Sequence, residues 1–282
     1  AGSAARDTTL WGQALGGGAR RDSNAAADGY HSTDVGLAAG LDHLFTPELL
    51  GGVAASWLHA WARGLDGAGG QSTDLDSYQL TFYGTYRHGR AFLDGQLGAG
   101  WNQFGQNRGI PFLGETAAAH YDGQQYLAHA LLGYDLPLRG AADLRVTPLL
   151  GLRWIDAHDG AYAESGAGAA DLSVKDETLN SLTQELGLKT VWSLATGLGR
   201  VTPELTAEWV HDYTHGPIAT SGVIGGETFA VSIPRIAADG ARLRAGATLE
   251  SSDRLSFRLE YDGELRSGYQ SHTGLFKLLW KF

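Results

Sequence analysis

Two histidines in the last third of the chain have the spacing of metal ligands on a helix. His211 and His215 stand four residues apart, and on a helix this spacing brings two imidazoles to one face, where they could bind zinc. The preceding residues alternate between apolar and polar types, however, which is typical of a β-strand. In a strand the two imidazoles lie about 13 Å apart, whereas a zinc–nitrogen bond measures about 2 Å. The sequence therefore predicts neither a metal site nor a bound cofactor.

Serine, histidine and aspartate side chains could in principle form a hydrolytic centre. The candidates are Ser56, Ser181, His129 and Asp135. They fall in different segments, and the sequence lacks the Gly-x-Ser-x-Gly motif that holds a nucleophilic serine on a sharp turn. The chain also contains no cysteine, which excludes a thiol nucleophile and a cysteine-ligated zinc site. We therefore interpret these side chains as hydrogen-bonding groups and expect no enzyme.

These residues are positioned by segments in which apolar and polar side chains alternate. In residues 253–268, Leu255 and Phe257 alternate with Arg258 and Glu260. Because successive side chains of a strand point to opposite faces, the pattern predicts strands with one apolar and one polar face. The predicted strands are 8–20, 30–45, 49–63, 75–88, 90–105, 119–137, 142–158, 177–196, 199–213, 239–252, 253–268 and 271–282.

The lengths of the strands and of their connections indicate the class of fold. Most predicted strands exceed the roughly 9–11 residues that a tilted strand needs to cross a bilayer. Brief turns at 46–48 and 88–90 alternate with longer links, including the one between the fifth and sixth strands and the longest, 214–239. Short turns at one end and long loops at the other are typical of outer-membrane barrels. The sequence predicts an all-β fold, a 12-stranded antiparallel transmembrane β-barrel with both termini on the periplasmic side.

Overall composition agrees with this class of fold. No stretch approaches the roughly 20 apolar residues of a membrane helix, although 43% of the residues are hydrophobic. Low hydropathy with many glycines and aromatic residues suits a barrel in which only alternate residues face lipid. The net charge of −10 argues against a nucleic-acid partner, which would select a basic surface.

The polar faces carry acids and bases together, which suits a hydrated barrel interior. Charges of both signs can pair across strands there, whereas in a dry core they would be costly. The predicted lumen network is Arg87, Asp94, Arg145, Arg153, Glu185, Glu204, Glu208, Arg258, Glu260, Asp262 and Glu264. A barrel of this size lies between side-chain-filled and open barrels, so we expect a passage about as wide as one helix, about 10–12 Å.

The last strand ends on an aromatic residue. Its apolar face carries Phe276, Leu278, Trp280 and Phe282, and we interpret these four residues as a terminal assembly signal. In a closed membrane barrel the last strand must hydrogen-bond to the first, so the end of the chain is a structural seam.

Motifs along the whole chain resemble the translocator domain of monomeric autotransporters, the type V secretion proteins that export their own N-terminal passenger. The motifs are Trp11-Gly12-Gln13, Asp76-Ser77-Tyr78-Gln79-Leu80, Tyr83-Gly84-Thr85-Tyr86, Leu93-Asp94-Gly95, Pro148 to Trp154, Glu164, Pro203-Glu204, Trp209-Val210-His211, Tyr261-Asp262-Gly263-Glu264, Gly268-Tyr269, His272 and Trp280-Lys281-Phe282. The resemblance implies a pore-forming translocator in the outer membrane of a Gram-negative bacterium. It also implies a monomer whose partners are its passenger, outer-membrane lipids, the barrel assembly machinery and periplasmic chaperones.

The resemblance further suggests how the chain is divided. Residues 1–9 are interpreted as the remnant of a linker and residues 10–282 as the translocator barrel. Some relatives cut their linker with acidic residues of the lumen. The alternating pattern predicts that Asp94, Glu204, Glu208 and Glu264 point into the lumen. We interpret these acids as members of a purely structural salt-bridge network, with cleavage of the linker as the alternative.

The link between the ninth and tenth strands is apolar for a surface loop. We hypothesise that residues 223–233 form a hairpin over the extracellular mouth, where Phe229, Val231 and Ile233 contact the exiting passenger. A simple extension of the barrel wall is the alternative. Two other functions stay open, an outer-membrane hydrolase or protease with an active site at the rim, and a stand-alone porin or adhesin barrel.

Overall fold

Twelve long antiparallel strands close into a barrel in the computed structural model, which describes residues 7–138, 144–214 and 216–282. The barrel strands are β1 (Thr8–Arg21), β2 (Tyr30–Thr46), β3 (Leu49–Gly64), β4 (Gln71–His88), β5 (Ala91–Ile110), β6 (Glu115–Tyr134), β8 (Arg145–Asp159), β11 (Glu177–Val191), β13 (Gly199–Asp212), β16 (Asp239–Glu250), β17 (Leu255–Arg266) and β18 (Tyr269–Lys281). The short strands are β7 (Leu136–Pro137), β9 (Tyr162–Ala163), β10 (Leu172–Val174), β12 (Leu194–Thr196), β14 (Ile218–Ile224) and β15 (Glu227–Ile233). The predicted twelve-stranded barrel is confirmed.

Helical structure is limited to two single 3-10 turns in the described part of the chain, Asp66–Ala68 and Gly168–Ala170. No helix in the described ranges is long and apolar enough to cross a membrane.

The first and last strands form the seam that closes the barrel. Strand β18 pairs with β1 in unbroken antiparallel register, from Thr9 opposite Lys281 to Arg21 opposite Tyr269. The amide of Phe282 then donates to the carbonyl oxygen of Thr8 at 3.0 Å. Strands β1 and β18 thus satisfy each other's backbone groups, which a bilayer interior requires.

Burial in the barrel is inverted relative to a soluble protein. Leu97 and Leu259 on the outer face are each 63% exposed, whereas Glu185 on the inner face is 2% exposed. Apolar side chains that remain accessible over a continuous outer face are expected where lipid is the solvent. Acids and bases such as Glu185, Arg153 and Arg242 instead point to the interior, where they meet partners from other strands.

The two ends of the barrel differ in their connections. We call the end with the links 47–48, 89–90, 135–144, 192–198 and 251–254 the turn end. The long-loop end has the links 22–29, 65–70, 160–176 and 213–238 together with two tight turns, 111–114 and 267–268. The predicted long link between the fifth and sixth strands is wrong, because β5 and β6 are joined by the tight turn 111–114. Both strands continue past their predicted ends at residues 105 and 119, since backbone pairing persists there after the side-chain alternation has faded.

A second, four-stranded sheet stands at the long-loop end. Its order is β15-β14-β10-β9, and it is built from the links 160–176 and 213–238. Ala118 of β6 and Ser165 exchange backbone hydrogen bonds of 2.8 and 2.9 Å, which attach this small sheet to the barrel wall. Strand β15 is an edge strand of the small sheet.

The seam yields a first prediction. Deleting residues 280–282 removes the outward anchors Trp280 and Phe282 and the last backbone pairs of β18, so most of the folded barrel should be lost. The measurement is the fraction of the protein in isolated membranes that migrates as the folded, heat-resistant barrel in gel electrophoresis. Trp280→Tyr, which keeps an aromatic ring and every backbone pair, is the control and should fold. A normal folded fraction of the variant that lacks residues 280–282 would contradict the claim that folding depends on closure of the barrel.

Candidate functional site: the barrel interior

Glu185 is the centre of a charge cluster inside the barrel. One carboxylate oxygen lies 3.1 Å from Nε2 of His129, and the other lies 3.1 Å from Arg153 and 3.4 Å from Arg242. Strands β6, β8, β11 and β16 each supply one of these four side chains. Burial of an isolated carboxylate would cost desolvation free energy. The three cationic or hydrogen-bonding partners of Glu185 offset that cost.

Two arginines of β16 extend the cluster along the same wall. Arg242 forms a fork with the Asp262 carboxylate, with contacts of 2.9 Å from Nε and 2.5 Å from the terminal nitrogen. Arg244 lies 2.6 Å from Glu208, whose side chain is fully buried. Paired charges from neighbouring strands therefore fix the register and the side-chain positions here.

A separate group nearer the turn end surrounds Glu204. Lys189 approaches this carboxylate at 3.2 Å, and Arg258 bonds to it and also to Glu260, with Nε of Arg258 3.0 Å from the second carboxylate. The group couples β11, β13 and β17. Together with the Glu185 cluster it forms a charged wall, which we define as the inner face of β8, β11, β13, β16 and β17.

The opposite wall is largely neutral in its middle. We define the neutral wall as the inner face of β1 to β5 between the charges near the turn end and those near the long-loop end, which are Asp42, Arg87 and Asp94 and Arg21, Asp34 and Arg108, respectively. There Gln79 accepts from the amide of Gln125, which lies on the adjoining β6, at 3.1 Å, and it donates to Thr81 at 2.8 Å. The indole of Trp11 donates to the Tyr83 hydroxyl at 2.7 Å. Hydrogen bonds between uncharged groups thus predominate on this wall, and the lumen is electrostatically asymmetric.

The remaining predicted network residues occupy the inner face as well. Asp135 at the turn end accepts from Thr147 at 2.7 Å and pairs with Arg145 at 3.2 Å and with Arg87 at 3.5 Å. Asp94 accepts from Thr85 at 2.7 Å. Glu264 pairs with Arg266 at 2.6 Å. All eleven predicted side chains point inward, while their role in secretion stays a prediction.

The candidate hydrolytic residues do not come together. His129 contacts Glu185, Asp135 contacts Thr147, and Ser181 donates to Asp212 at 2.8 Å. No hydrogen bond joins any two of the candidates Ser56, Ser181, His129 and Asp135 in the part of the chain that the structure describes.

The histidine of the metal-like motif faces lipid instead of the lumen. Nδ1 of His211 lies 2.9 Å from Asp239, which also accepts from the indole of Trp209 at 3.0 Å. His215 lies outside the described residues. His211 is therefore engaged with a carboxylate of the neighbouring strand.

Interactions at the mouth of the long-loop end were not predicted from the sequence. Arg108 of β5 forms a fork with Glu164, with contacts of 3.0 and 2.5 Å, and it also donates to the carbonyl of Ala170 at 2.7 Å. The ring of Tyr162 stacks on Tyr121 of β6 at 4.4 Å, and burial raises the pKa of the Tyr162 hydroxyl above its usual range. Arg108 and Glu164 lie far apart in sequence, so no local pattern could have paired them.

Arg242 was also missed, although a signal for it exists. It stands two residues before Arg244 and therefore shares the inward face of the predicted strand 239–252. Two other arginines bind carbonyl groups of the return segment 234–238: Arg21 donates to Pro234, and Arg266 donates to Ala237 and Ala238. Arg235 of the segment itself donates to the carbonyl groups of Gly216 and Asn180.

The apolar residues of the 9–10 link lie on β15 and alternate along one side of it. Phe229 stands opposite Gly222 of β14, and its ring fills the space beside that glycine. Val231 is 47% exposed. A hairpin is thus present, and its role in contacting a passenger stays a prediction.

The Glu185 cluster yields a second prediction. Glu185→Gln should lower the free energy of unfolding by about 3–5 kcal/mol, because His129, Arg153 and Arg242 then share no carboxylate. Denaturant titration of the folded barrel in vesicles measures this change. The control Glu260→Gln removes one partner of Arg258, which keeps Glu204, and should cost about 1 kcal/mol. Equal losses for the two variants would contradict the central role of Glu185.

Comparison with known proteins identifies the family. A family model, the autotransporter beta-domain, matches residues 10–262. Outer membrane protein B of Rickettsia conorii is 26% identical over 285 residues, covering 97% of this chain and 17% of that protein. An extracellular serine protease of Serratia marcescens is 25% identical, covering 99% of this chain and 26% of the protease. The chain thus spans about a quarter or less of the length of these relatives.

A solved structure shares the fold. The translocator domain of the autotransporter NalP from Neisseria meningitidis superposes with a TM-score of 0.78 at 17% identity, covering 98% of this chain and 88% of that one. The closed barrel, its lipid-facing exterior and the family match agree with one another. The chain therefore belongs to the autotransporter beta-domain family, whose barrel resides in the outer membrane.

Proposed function

We propose that the barrel is the outer-membrane passage through which a passenger attached to its N-terminal side is secreted. In this proposal both termini face the periplasm and the long-loop end faces outward. The observation that carries it is the asymmetric lumen. The interior acids and bases pair with one another on the charged wall, so an extended or helical segment can pass along the neutral wall without separating them.

The proposal assigns distinct roles to the two ends of the chain. The linker between passenger and barrel ends at Asp7 and not at residue 9, because Thr8 and Thr9 are already paired within the barrel as part of β1. Phe276, Leu278, Trp280 and Phe282 form the signal that the assembly machinery and periplasmic chaperones bind before insertion. Their alternate spacing places all four on the lipid-facing side of β18.

We give the barrel itself no catalytic role. The candidate residues contact other partners, and the acids Glu204, Glu208 and Glu264 are each held by an arginine. Because the Serratia relative is an extracellular serine protease, any enzymatic activity of the whole protein would belong to the passenger.

Passage along the neutral wall can be tested by cross-linking. The chain contains no cysteine, so Ser56→Cys introduces a single thiol on the inner face of β3. During arrested secretion it should cross-link to a cysteine placed in the passenger's trailing segment. Ala55→Cys, the adjacent position on the lipid-facing side, is the matched control and should not. A passenger that reaches the surface without any cross-link from position 56 would exclude passage along this wall.

The hairpin at the mouth offers a second test of the proposal. Phe229, Val231 and Ile233 alternate along β15, an edge strand whose outer side can receive another extended segment. We expect Val231→Asp to slow surface display of the passenger several-fold, because a charge then replaces an apolar contact. Ser232→Asp adds the same charge to the opposite face of β15, where Ser232 is exposed, and should have little effect. Equal display rates would favour the alternative, a plain extension of the barrel wall.

A further inference from the structure

Three basic residues stand directly opposite one another on the outer face at the long-loop end. Arg20 of β1 pairs in register with His31 of β2, which pairs with Arg63 of β3. Trp11 of β1 points inward to Tyr83, so Arg20, nine residues later, points outward. We call Arg20, His31 and Arg63 the basic row.

The basic row has little compensation from the protein. Arg20 contacts Asp22 at 3.0 Å, with both side chains more than half exposed. His31 and Arg63 have no ion pair within the described ranges of the chain. Two arginines thus flank His31 with Asp22 as the acidic contact of Arg20, which leaves donors of the row free to bind an anion.

A cavity opens beside this row. Its volume is about 490 Å³, and its lining includes His31, Arg63, Trp61, Ser72 and Asp74. Arginine and histidine donate to phosphate oxygens, while an indole packs against an apolar chain. The carboxylate of Asp74 would accept hydrogen bonds from hydroxyl groups of the same ligand.

The height of the row corresponds to a membrane boundary. Leu10 and Arg20 are ten residues apart on one face of β1, which amounts to about 25 Å along the membrane normal for a strand tilted by about 40°. An apolar band of a membrane barrel is about 25 Å tall. Arg20 thus stands about one band height from Leu10, toward the headgroups of the leaflet at the long-loop end.

An apolar cavity on the outer face lies nearer the turn end than the basic row. The outward positions of β1 between Leu10 and Arg20 are Gly12, Ala14, Gly16 and Gly18. Phe276 and Leu278 of β18 form one side, and Leu37 and Trp57 form the other, around a cavity of about 690 Å³. Gly16 and Gly18, which have no side chains, lie on β1 between this cavity and Arg20. We call the cavity and these two glycine positions the groove; its apolar lining below a cationic row matches an amphiphile.

We propose that the basic row and this groove bind one phosphorylated lipid of the leaflet at the long-loop end. Arg20, His31 and Arg63 hold the phosphate, and an acyl chain lies over Gly16 and Gly18 along the seam strand. The inference rests on the proposed function only for the identity of that leaflet as the outer one.

Lipid retention by the purified barrel tests the inference. The barrel is placed in phosphatidylcholine nanodiscs doped with diphosphoryl lipid A, and native mass spectrometry counts the lipid that stays bound. Parallel samples contain dephosphorylated lipid A, or inorganic phosphate added as a competitor. One diphosphoryl lipid A should be retained, and the dephosphorylated form should not.

Variants assign the binding to these residues. Combined Arg20→Gln, His31→Gln and Arg63→Gln should weaken retention at least about tenfold. Gly16→Leu should also weaken it by filling the groove, and its Cβ would be in ordinary contact with the nearest atoms at 3.6 and 4.0 Å, so the barrel should fold. The control combines Arg90→Gln, Arg254→Gln and Lys281→Gln at the turn end and should retain the lipid.

Three results would overturn the inference: equal retention by the row variant and the control, equal retention of the dephosphorylated lipid, or displacement by inorganic phosphate. Surface display of the passenger is measured in the same variants, so that failure of the lipid site can be distinguished from failure of the proposed secretion function. Normal display without lipid retention contradicts only the lipid site. Lipid retention by an unaltered barrel that displays no passenger contradicts only the proposed function.

Discussion

Backbone hydrogen bonding in a medium without water is the constraint on which the structure depends. Each unpaired amide or carbonyl in lipid costs several kcal/mol, so an open sheet edge cannot persist there. The pairing of β1 with β18 satisfies this constraint and closes the barrel. Closure in turn creates an interior separated from lipid, and it is this interior that receives the charged side chains.

The interior is organised by the need to compensate buried charge. Glu185 meets three partners from three strands, and Arg242 meets two carboxylates. Because these pairs gather on the charged wall, the neutral wall is left with amide, hydroxyl and aromatic groups. The same arrangement that stabilises the barrel therefore leaves a path on which a passing polypeptide need not break ion pairs.

Much of this architecture could be predicted from the sequence, because strand alternation depends on local residue types. The alternation of apolar and polar residues predicts the twelve barrel strands and the inward direction of all eleven network side chains. Alternation does not reveal which acid pairs with which base. The fork between Arg108 and Glu164 and the pairing of Arg242 with Glu185 and Asp262 were therefore missed. The extension of β5 and β6 to Ile110 and Glu115 was missed too, since backbone pairing continues there without alternation of side-chain type.

The central claim is that this barrel exports a passenger to which it is joined. A pulse-chase experiment with antiserum against the barrel, followed by protease treatment of intact cells, tests it most directly. The account predicts a precursor much larger than the 29.9 kDa of this chain, whose additional mass becomes accessible to protease at the cell surface. A precursor larger only by a signal peptide, with no surface-accessible extension, would contradict the claim and leave a free-standing barrel.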